Sequence, residues 1–294
     1  MSMWRSLSNE AGGAISFPEL VRAFVAKSAA PAVRRSRPDV LLCDTKIVRA
    51  VSDIGELCAA KRVLAISTEL PVEAPLGLPE LILCPADLEV YPVPTGSTRL
   101  YCEPSLQEVA GVERGRRFRA FSGRVSVYCS FGTQVDEYPD AGRVLVEVVR
   151  AFSGRLDYQV VIVAGRRAGL LRKLAGPNVS IRTFVPQRSF LAQSDVAIIH
   201  GGLGTVKECI AARVPMVVIP FYSDQPANGT RVERLGLGRL CVPCAARMDV
   251  IRSLSREVAS SPTMASAIRA MDRTLRRVEE AAPAARFVLR TVEM

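Results

Sequence analysis

The chain has 294 residues, 49% hydrophobic and 23% charged, a balance that excludes an intrinsically disordered protein. The length allows two domains and a large buried core. A formal net charge of +10 suits a nucleic acid, an anionic membrane surface or a charged small molecule such as a nucleotide diphosphate, and charge alone does not choose among them.

Taken in chain order, Ser16 and Glu19 form a capping box with Pro18 in the first turn. This predicts a helix running through Leu20, Val21, Phe24 and Val25 toward Ala29, with Pro31 interrupting it. Asp39 to Cys43 reads as a short apolar strand. Ile47 to Ala60 reads as a helix from the spacing of Ile47, Val51, Ile54 and Cys58, and Arg62 to Ile66 as a second buried strand. That is a strand-helix-strand unit of a parallel sheet. From Pro71 to about Gly111 prolines and short apolar pieces predict a loop-rich stretch.

The densest basic run, Arg114, Arg116, Arg117 and Arg119 with Phe118 and Phe121 interleaved, lies between two patterned regions without a period of its own. It is therefore read as a solvated linker over 114–124 joining a domain 1–113 to a domain 125–294. In the second domain strands are predicted at Val125 to Phe131, Gln159 to Ala164, Val179 to Phe184, Val196 to His200, Met216 to Pro220 and Leu240 to Val242. Helical segments fall between them, the pattern of a doubly wound parallel sheet. The tail from Met248 is predicted helical, breaking near Ala282 and Pro283 and returning toward the first domain.

The eight cysteines lie largely in apolar runs and are expected as reduced, buried thiols. Cys241 and Cys244 form a CxxC with neither a second pair nor a helix opening at the first cysteine, so a structural role is expected. The N-terminus lacks the succession of a signal peptide, and no apolar stretch reaches the ~18–20 residues of a membrane span. The expected location is the cytoplasm, with peripheral membrane contact left open.

In an open parallel sheet ligands bind beyond the carboxyl ends of the strands, where helix N-termini present unpaired N–H groups to anions. Four strand ends here carry suitable residues. After the strand ending at Ile199 comes HGGLGTVKE. Its Gly201, Gly202 and Gly204 allow close backbone approach, His200 and Thr205 can hydrogen-bond phosphate oxygens, and Glu208 can accept from a pair of sugar hydroxyls. Gly132 and Thr133 follow the first strand of the domain as a second glycine turn. Phe184, Val185 and Gln187 follow the third, an aromatic that can stack on a base and an amide that can bond it. Asp224 and Gln225 follow the fifth and suit hexose hydroxyls. Each piece has a plainer reading: a turn, a structural histidine, a core aromatic, a helix N-terminus. Their coincidence at successive strand ends favours a nucleotide-sugar site.

The stretch Val185 to Gly238 resembles the donor-binding signature of the UDP-glycosyltransferases, especially the bacterial macrolide and carotenoid branch. The likeness extends from Ser130 through the C-terminal helices and more weakly back to Pro38. The resemblance implies a GT-B-type α/β fold, two Rossmann-like parallel-sheet domains with the N-terminal one truncated. It implies Phe184 on the base, Val185 and Gln187 beside base and ribose, His200 and Thr205 on the diphosphate, Glu208 on the ribose hydroxyls, and Asp224 with Gln225 on the transferred sugar. Where plant relatives have an asparagine, this chain has Gly204.

Family members also use a histidine from an early N-terminal loop as general base. This chain has one histidine, His200, and keeps at Asp44 only the carboxylate that would orient that base.

The expected function is inverting transfer of a hexose from a UDP- or TDP-sugar to a hydroxyl of a small lipophilic acceptor, with no metal and no cofactor, since no Asp-x-Asp motif occurs. The alternative is a donor-binding subunit or inactive remnant, completed by a second chain or left by a shortened reading frame. A UDP-sugar 2-epimerase is disfavoured by Asp224-Gln225, and a nucleic-acid partner by the absence of a reading motif.

Overall fold

The structure, a computed structural model, describes residues 21–22, 25–51, 53–58, 62–67, 77–90, 98–103, 124–278 and 281–293. By their contacts the residues fall into two compact units, 1–84 with 91–104 and 280–294, and 85–90 with 105–279. The capping box at Ser16 and the basic run, save Arg124, lie outside the described residues.

The first unit holds four parallel strands, β1 (Val40–Asp44), β2 (Arg62–Ser67), β3 (Glu80–Leu83) and β4 (Arg99–Cys102), in that spatial order. Because side chains alternate across a pleated strand, Cys43 and Ala65 face one core with Val25, Val48 and Ile54. Leu64, Leu81 and Cys102 face another, closed by Ala284, Phe287 and Val288 of the last helix, α11 (Ala281–Glu293).

Three expectations change here. Pro31 marks a change of helix rather than an end: a π-helical turn, Val25–Ala29, leads directly into α1 (Ala30–Ser36), which carries Pro31 in its first turn. The single helix expected from Ile47 to Ala60 is two, α2 (Thr45–Ala50) and α3 (Ile54–Cys58), separated by an extended Val51 at φ −132°. The periodic apolar positions are still packed on one core, so the spacing reported burial and not continuity. The stretch 71–111, expected as loop, contains β3 and β4. Each has four residues and begins with a charged one, and Glu80 and Arg99 stand in register as a buried ion pair at 2.5 Å. A buried pair of charges erases the apolar signature that periodicity detects.

The second unit is a six-stranded parallel sheet in the order β10-β9-β8-β5-β6-β7. The strands are β5 (Val125–Ser130), β6 (Tyr158–Val163), β7 (Val179–Arg182), β8 (Val196–Ile199), β9 (Met216–Val218) and β10 (Gly238–Leu240). The chain winds outward from β5 to β7, then returns to the far side of β5 with β8. The switch point therefore falls between β5 and β8, where Ser130 stands opposite Ile199. Helices α4 (Ala141–Phe152), α5 (Ala168–Arg172), α6 (Gln187–Leu191), α7 (Leu203–Ala212) and α8 (Gln225–Arg234) make the connections, and Val144, Leu145, Val148, Val149 and Phe152 seal α4 to the sheet.

The tail is three helices. α9 (Met248–Ser260) and α10 (Pro262–Arg277) part at Ser261, whose Oγ accepts from the Met264 N–H, and α11 opens at Ala281, so the helical tail breaks just ahead of Pro283, close to the expected place. Seven cysteines are buried, Cys241 among them, and Cys244 is exposed. No helix among the described residues is long and apolar enough to cross a membrane.

The helix that matters most for the site, α7, is anchored at its far end. Arg213 closes it in the left-handed region at φ 60°, and its Nε donates to the fully buried Asp272 of α10 at 2.7 Å, with Arg276 Nε on the same carboxylate. Asp272→Ala should lower the unfolding free energy by about 2 kcal/mol in a urea titration. It removes charge-assisted bonds while leaving arginines exposed enough to regain water. Asp272→Asn should recover part of that.

Candidate functional site

The loops after β5 and β8 leave neighbouring strands from the same edge of the sheet, which brings Gly132 and His200 together. The imidazole is wedged between two glycines. A methyl group on Gly132 would stand 2.9 Å from both Cε1 and Nε2 of His200, and one on Gly202 2.7 Å from Nε2. Gly132 also has φ +79°, so a side chain there would be strained as well as obstructed. The first of the two turns was expected to serve a phosphate through its backbone freedom; what its glycine does first is make room for a ring.

His200 is 9% exposed, and its Nδ1 makes no hydrogen bond. Burial pushes its pKa from 6.5 down to about 4. At neutral pH the residue is thus an uncharged imidazole, offering one N–H and no cationic charge.

Gly201 has φ +90°, and a methyl group on it would stand 2.8 Å from Val218 Cγ1 and 3.0 Å from the Gln225 carbonyl oxygen. Gly202 is the N-cap of α7 and supplies no side-chain cap, so the first N–H groups of that helix are left for another acceptor. Gly204 lies in the first turn with open space where a side chain would be, and Thr205, half-buried, follows it.

On the β7 side Phe184 is 79% exposed, which removes the core reading for this aromatic, while Val185 is buried beneath it. Gln187 is fully engaged. Its Oε1 accepts from the Tyr128 hydroxyl at 2.9 Å, and its Nε2 donates to Glu208 Oε2 at 2.5 Å and to Thr205 Oγ1 at 3.4 Å. Arg188 Nε holds the other Glu208 oxygen at 3.1 Å. Gln187, Thr205 and Glu208, chosen separately from sequence, therefore form one connected cluster, and Tyr128 and Arg188 belong to it too. Tyr128 sits on the face of β5 opposite Val127 and Cys129, a position strand alternation marks; nothing in the sequence marked Arg188.

On the β9 side the two residues expected to hold hexose hydroxyls part company. Asp224 is half-buried, with Oδ2 accepting from Asn228 Nδ2 at 2.7 Å. Gln225 is 4% exposed. Its Oε1 accepts the N–H groups of Phe221 and Tyr222 at 2.8 and 3.0 Å, and its Nε2 donates to the Tyr138 hydroxyl at 3.1 Å. In this structure the Gln225 amide braces the loop from below, both its polar atoms bonded within the protein.

Asn228, 1% exposed, was missed. It donates to the Gly201 carbonyl at 2.9 Å as well as to Asp224, and its own Oδ1 accepts from Arg231, which pairs in turn with Glu89 at 3.1 Å. The spacing of Asp224 and Asn228 by one helical turn was the available signal.

Asp44 lies in the other unit, at the end of β1, where its Oδ1 caps α2 by accepting the Lys46 N–H at 2.9 Å. No cluster of His, Cys, Asp or Glu able to hold a metal occurs among the described residues.

Residues 147–292 match the family model of the erythromycin biosynthesis protein CIII-like C-terminal domain. An uncharacterized UDP-glucosyltransferase YdhE of Bacillus subtilis is 32% identical over 151 residues, 51% of this chain and 37% of its own length. The demethyllactenocin mycarosyltransferase of Streptomyces fradiae is 31% identical over 170 residues, 57% of this chain and 36% of its own. The chain thus spans little more than a third of the length of these relatives. Among solved structures the glycotransferase of kitacinnamycin superposes with a TM-score of 0.73 at 24% identity, covering 96% of this chain and 84% of that one. Glycosyltransferase VinC, in complex with DTDP, superposes with a TM-score of 0.70 at 16% identity, covering 99% and 81%. These likenesses show the fold, which is GT-B.

Because His200 is the one histidine, a proton NMR titration reads its pKa directly, and a midpoint near pH 4 is expected; a midpoint near 6.5 would contradict the buried, neutral ring. The unfolded chain takes up this proton below pH 6.5 and the folded protein only below about 4. Stability should therefore fall as pH drops through that window, by up to about 3 kcal/mol. His200→Gln should flatten the dependence. Gly132→Ala, by displacing the ring, should move the NMR midpoint upward.

Proposed function

We propose, from the premise that the chain belongs to the UDP-glycosyltransferase family, that it binds a UDP- or TDP-hexose in its second unit and transfers the hexose, with inversion, to a hydroxyl of a small lipophilic acceptor. The observation that carries this reading is the wedge of His200 between Gly132 and Gly202 at the N-terminus of α7. It joins a neutral N–H donor to uncapped helix N–H groups, a combination suited to a diphosphate.

In this reading the exposed Phe184 stacks on the base, Glu208 accepts from the ribose hydroxyls while Gln187 and Arg188 hold it in place, and Thr205 donates to a phosphate oxygen. Asp224 accepts from the hexose. As the acceptor oxygen attacks the anomeric carbon, its bond to the diphosphate breaks, and the growing negative charge on the leaving group meets the dipole of α7 and His200 Nε2–H. The protein's role at that step is electrostatic.

A second reading, donor binding without transfer by this chain alone, is favoured by one observation. The one histidine is occupied inside the donor site, leaving none to deprotonate an acceptor, and general-base assistance is worth about 10²- to 10⁴-fold in rate.

Calorimetric titration with UDP and with TDP tests both. Micromolar binding of one of them, weakened at least about tenfold in His200→Ala and in Phe184→Ala, is expected. Absence of binding for both nucleotides would overturn the donor site. With binding established, release of free hexose or a glycosylated acceptor from UDP-glucose separates the two readings.

A further inference from the structure

The turn between α4 and β6 carries Leu156 at 67% exposure, and the link between α5 and β7 carries Leu174 at 50%, with Leu170 of α5 at 71% four residues earlier. Single exposed leucines are ordinary on a protein surface; several on adjoining turns are not. These two turns are fastened to each other. Ser153 Oγ donates to the Leu174 carbonyl at 3.2 Å and accepts the Gly176 N–H at 3.1 Å, and a methyl group on Gly176 would stand 2.7 Å from the Gly154 nitrogen.

Leu156 is also fixed in place. Asn178, 3% exposed, accepts the Gly154 N–H at 3.0 Å through Oδ1, while its Nδ2 donates to the carbonyls of Phe152, Arg155 and Tyr158 at 2.9, 2.9 and 3.2 Å. One buried amide thus grips the turn on both sides of Leu156, so a partner that covers the leucine forfeits little backbone freedom.

The surroundings are basic. Arg155, Arg172 and Lys173 are exposed next to the leucines in the chain, and Arg252 and Arg256 of α9 reach the same turn, at the Ala151 carbonyl (3.5 Å) and at Asp157 (4.0 Å). The carboxylate in this group, Asp157, is shared by Arg256 and by Arg155 at 3.5 Å. Apolar side chains among cations match the interface of an anionic bilayer, where leucines enter the acyl boundary and arginine and lysine meet headgroup phosphates. A second copy of the chain fits less well. A symmetric contact would set Arg155, Arg172 and Lys173 against their own kind, and three leucines fall short of the ~800 Å² per partner that a stable interface buries.

We propose that this leucine face docks the second unit on an anionic lipid surface. Leu156 lies two residues ahead of β6 and Leu174 five ahead of β7, so the face is at the amino edge of the sheet, whereas Gly132, Phe184 and His200 lie beyond the carboxyl edge. Docking therefore leaves that opposite edge turned toward solution, and the inference stands apart from the donor-site reading.

The test is co-sedimentation of the full chain with vesicles of phosphatidylcholine, and with vesicles of two parts phosphatidylcholine to one part phosphatidylglycerol. Sedimentation with the mixed vesicles, weakening as salt is raised, is expected. Leu156→Ser combined with Leu174→Ser should lower partitioning at least about tenfold, and Arg155→Gln combined with Lys173→Gln about tenfold on the mixed vesicles. These side chains are exposed, so both variants should unfold at the temperature of the unaltered protein, which separates lost docking from lost folding. The inference is overturned if the unaltered chain does not sediment with the mixed vesicles, if the serine variant sediments as well as it does, or if removing the two charges has no effect. A dimer in equilibrium ultracentrifugation that the serine substitutions dissolve would overturn it in favour of self-association.

Discussion

A buried imidazole pressed between two stretches of backbone is the constraint on which the rest of the second unit depends. For His200 to fit, both flanking positions must lack a side chain, the strands that deliver them must be neighbours, and their ends must be level. Gly132 and Gly202 meet the first condition, and the parallel pairing of β5 with β8, Ser130 opposite Ile199, meets the others. That pairing exists because the chain returns to the middle of the sheet after β7, so the fold's switch point and the histidine's slot are one feature. The layers around it then follow. The Tyr138 ring stands 6.4 Å from the imidazole and 5.4 Å from Phe221, and Asn228 holds the Gly201 carbonyl while bracing Asp224. The loops after β8 and β9 share these side chains, which couples their positions.

The electrostatics of the site are quieter than a net charge of +10 suggests. The arginines near it are spoken for by carboxylates: Arg188 by Glu208, Arg231 by Glu89, and Arg166 and Arg167 by Asp136. His200 is neutral. What remains to receive an anion is partial charge on oriented N–H groups, which burial strengthens and which needs no reorganisation as charge develops. The overall charge of the chain is thus poor evidence about the site.

How much of this was legible in the sequence divides along physical lines. The strands of the second unit were readable where they are buried apolar runs bounded by turn residues, as β8 and β9 are, and the glycines and His200 because they follow such runs directly; β10, Gly238–Leu240 with Arg239 in its middle, lies two residues ahead of the expected Leu240 to Val242. β3 and β4 were not, since a buried Glu80–Arg99 pair gives two four-residue strands a polar face. The split between α2 and α3 was hidden because burial keeps a helical period across a non-helical Val51. Residue type revealed the partners of Glu208 only in part: Gln187 was named for a ligand and turned out to hold its neighbours. Gln225 likewise has internal partners that its residue type does not announce. A polar side chain at a strand end can serve the ligand or the loop that serves the ligand, and only the hydrogen-bond partners distinguish the two. Tyr138 had no sequence signal, since its role comes from a loop 87 positions away in the chain.

The arrangement separates recognition from activation. Every side chain proposed to touch the donor comes from the second unit, at the carboxyl edge of one sheet, and all are braced by residues of that same unit. Asp44, which by family resemblance would orient an acceptor base, is in the first unit and is engaged as the cap of α2, and the one imidazole of the chain is buried between Gly132 and Gly202 in the second. In the proposed reading, affinity for the donor is carried by side chains of the second unit alone. In a displacement reaction the base acts on the incoming oxygen and the helix dipole on the departing one. The second requirement is built here from backbone and buried packing, whereas the first is a single proton acceptor that side chains outside this site would have to provide.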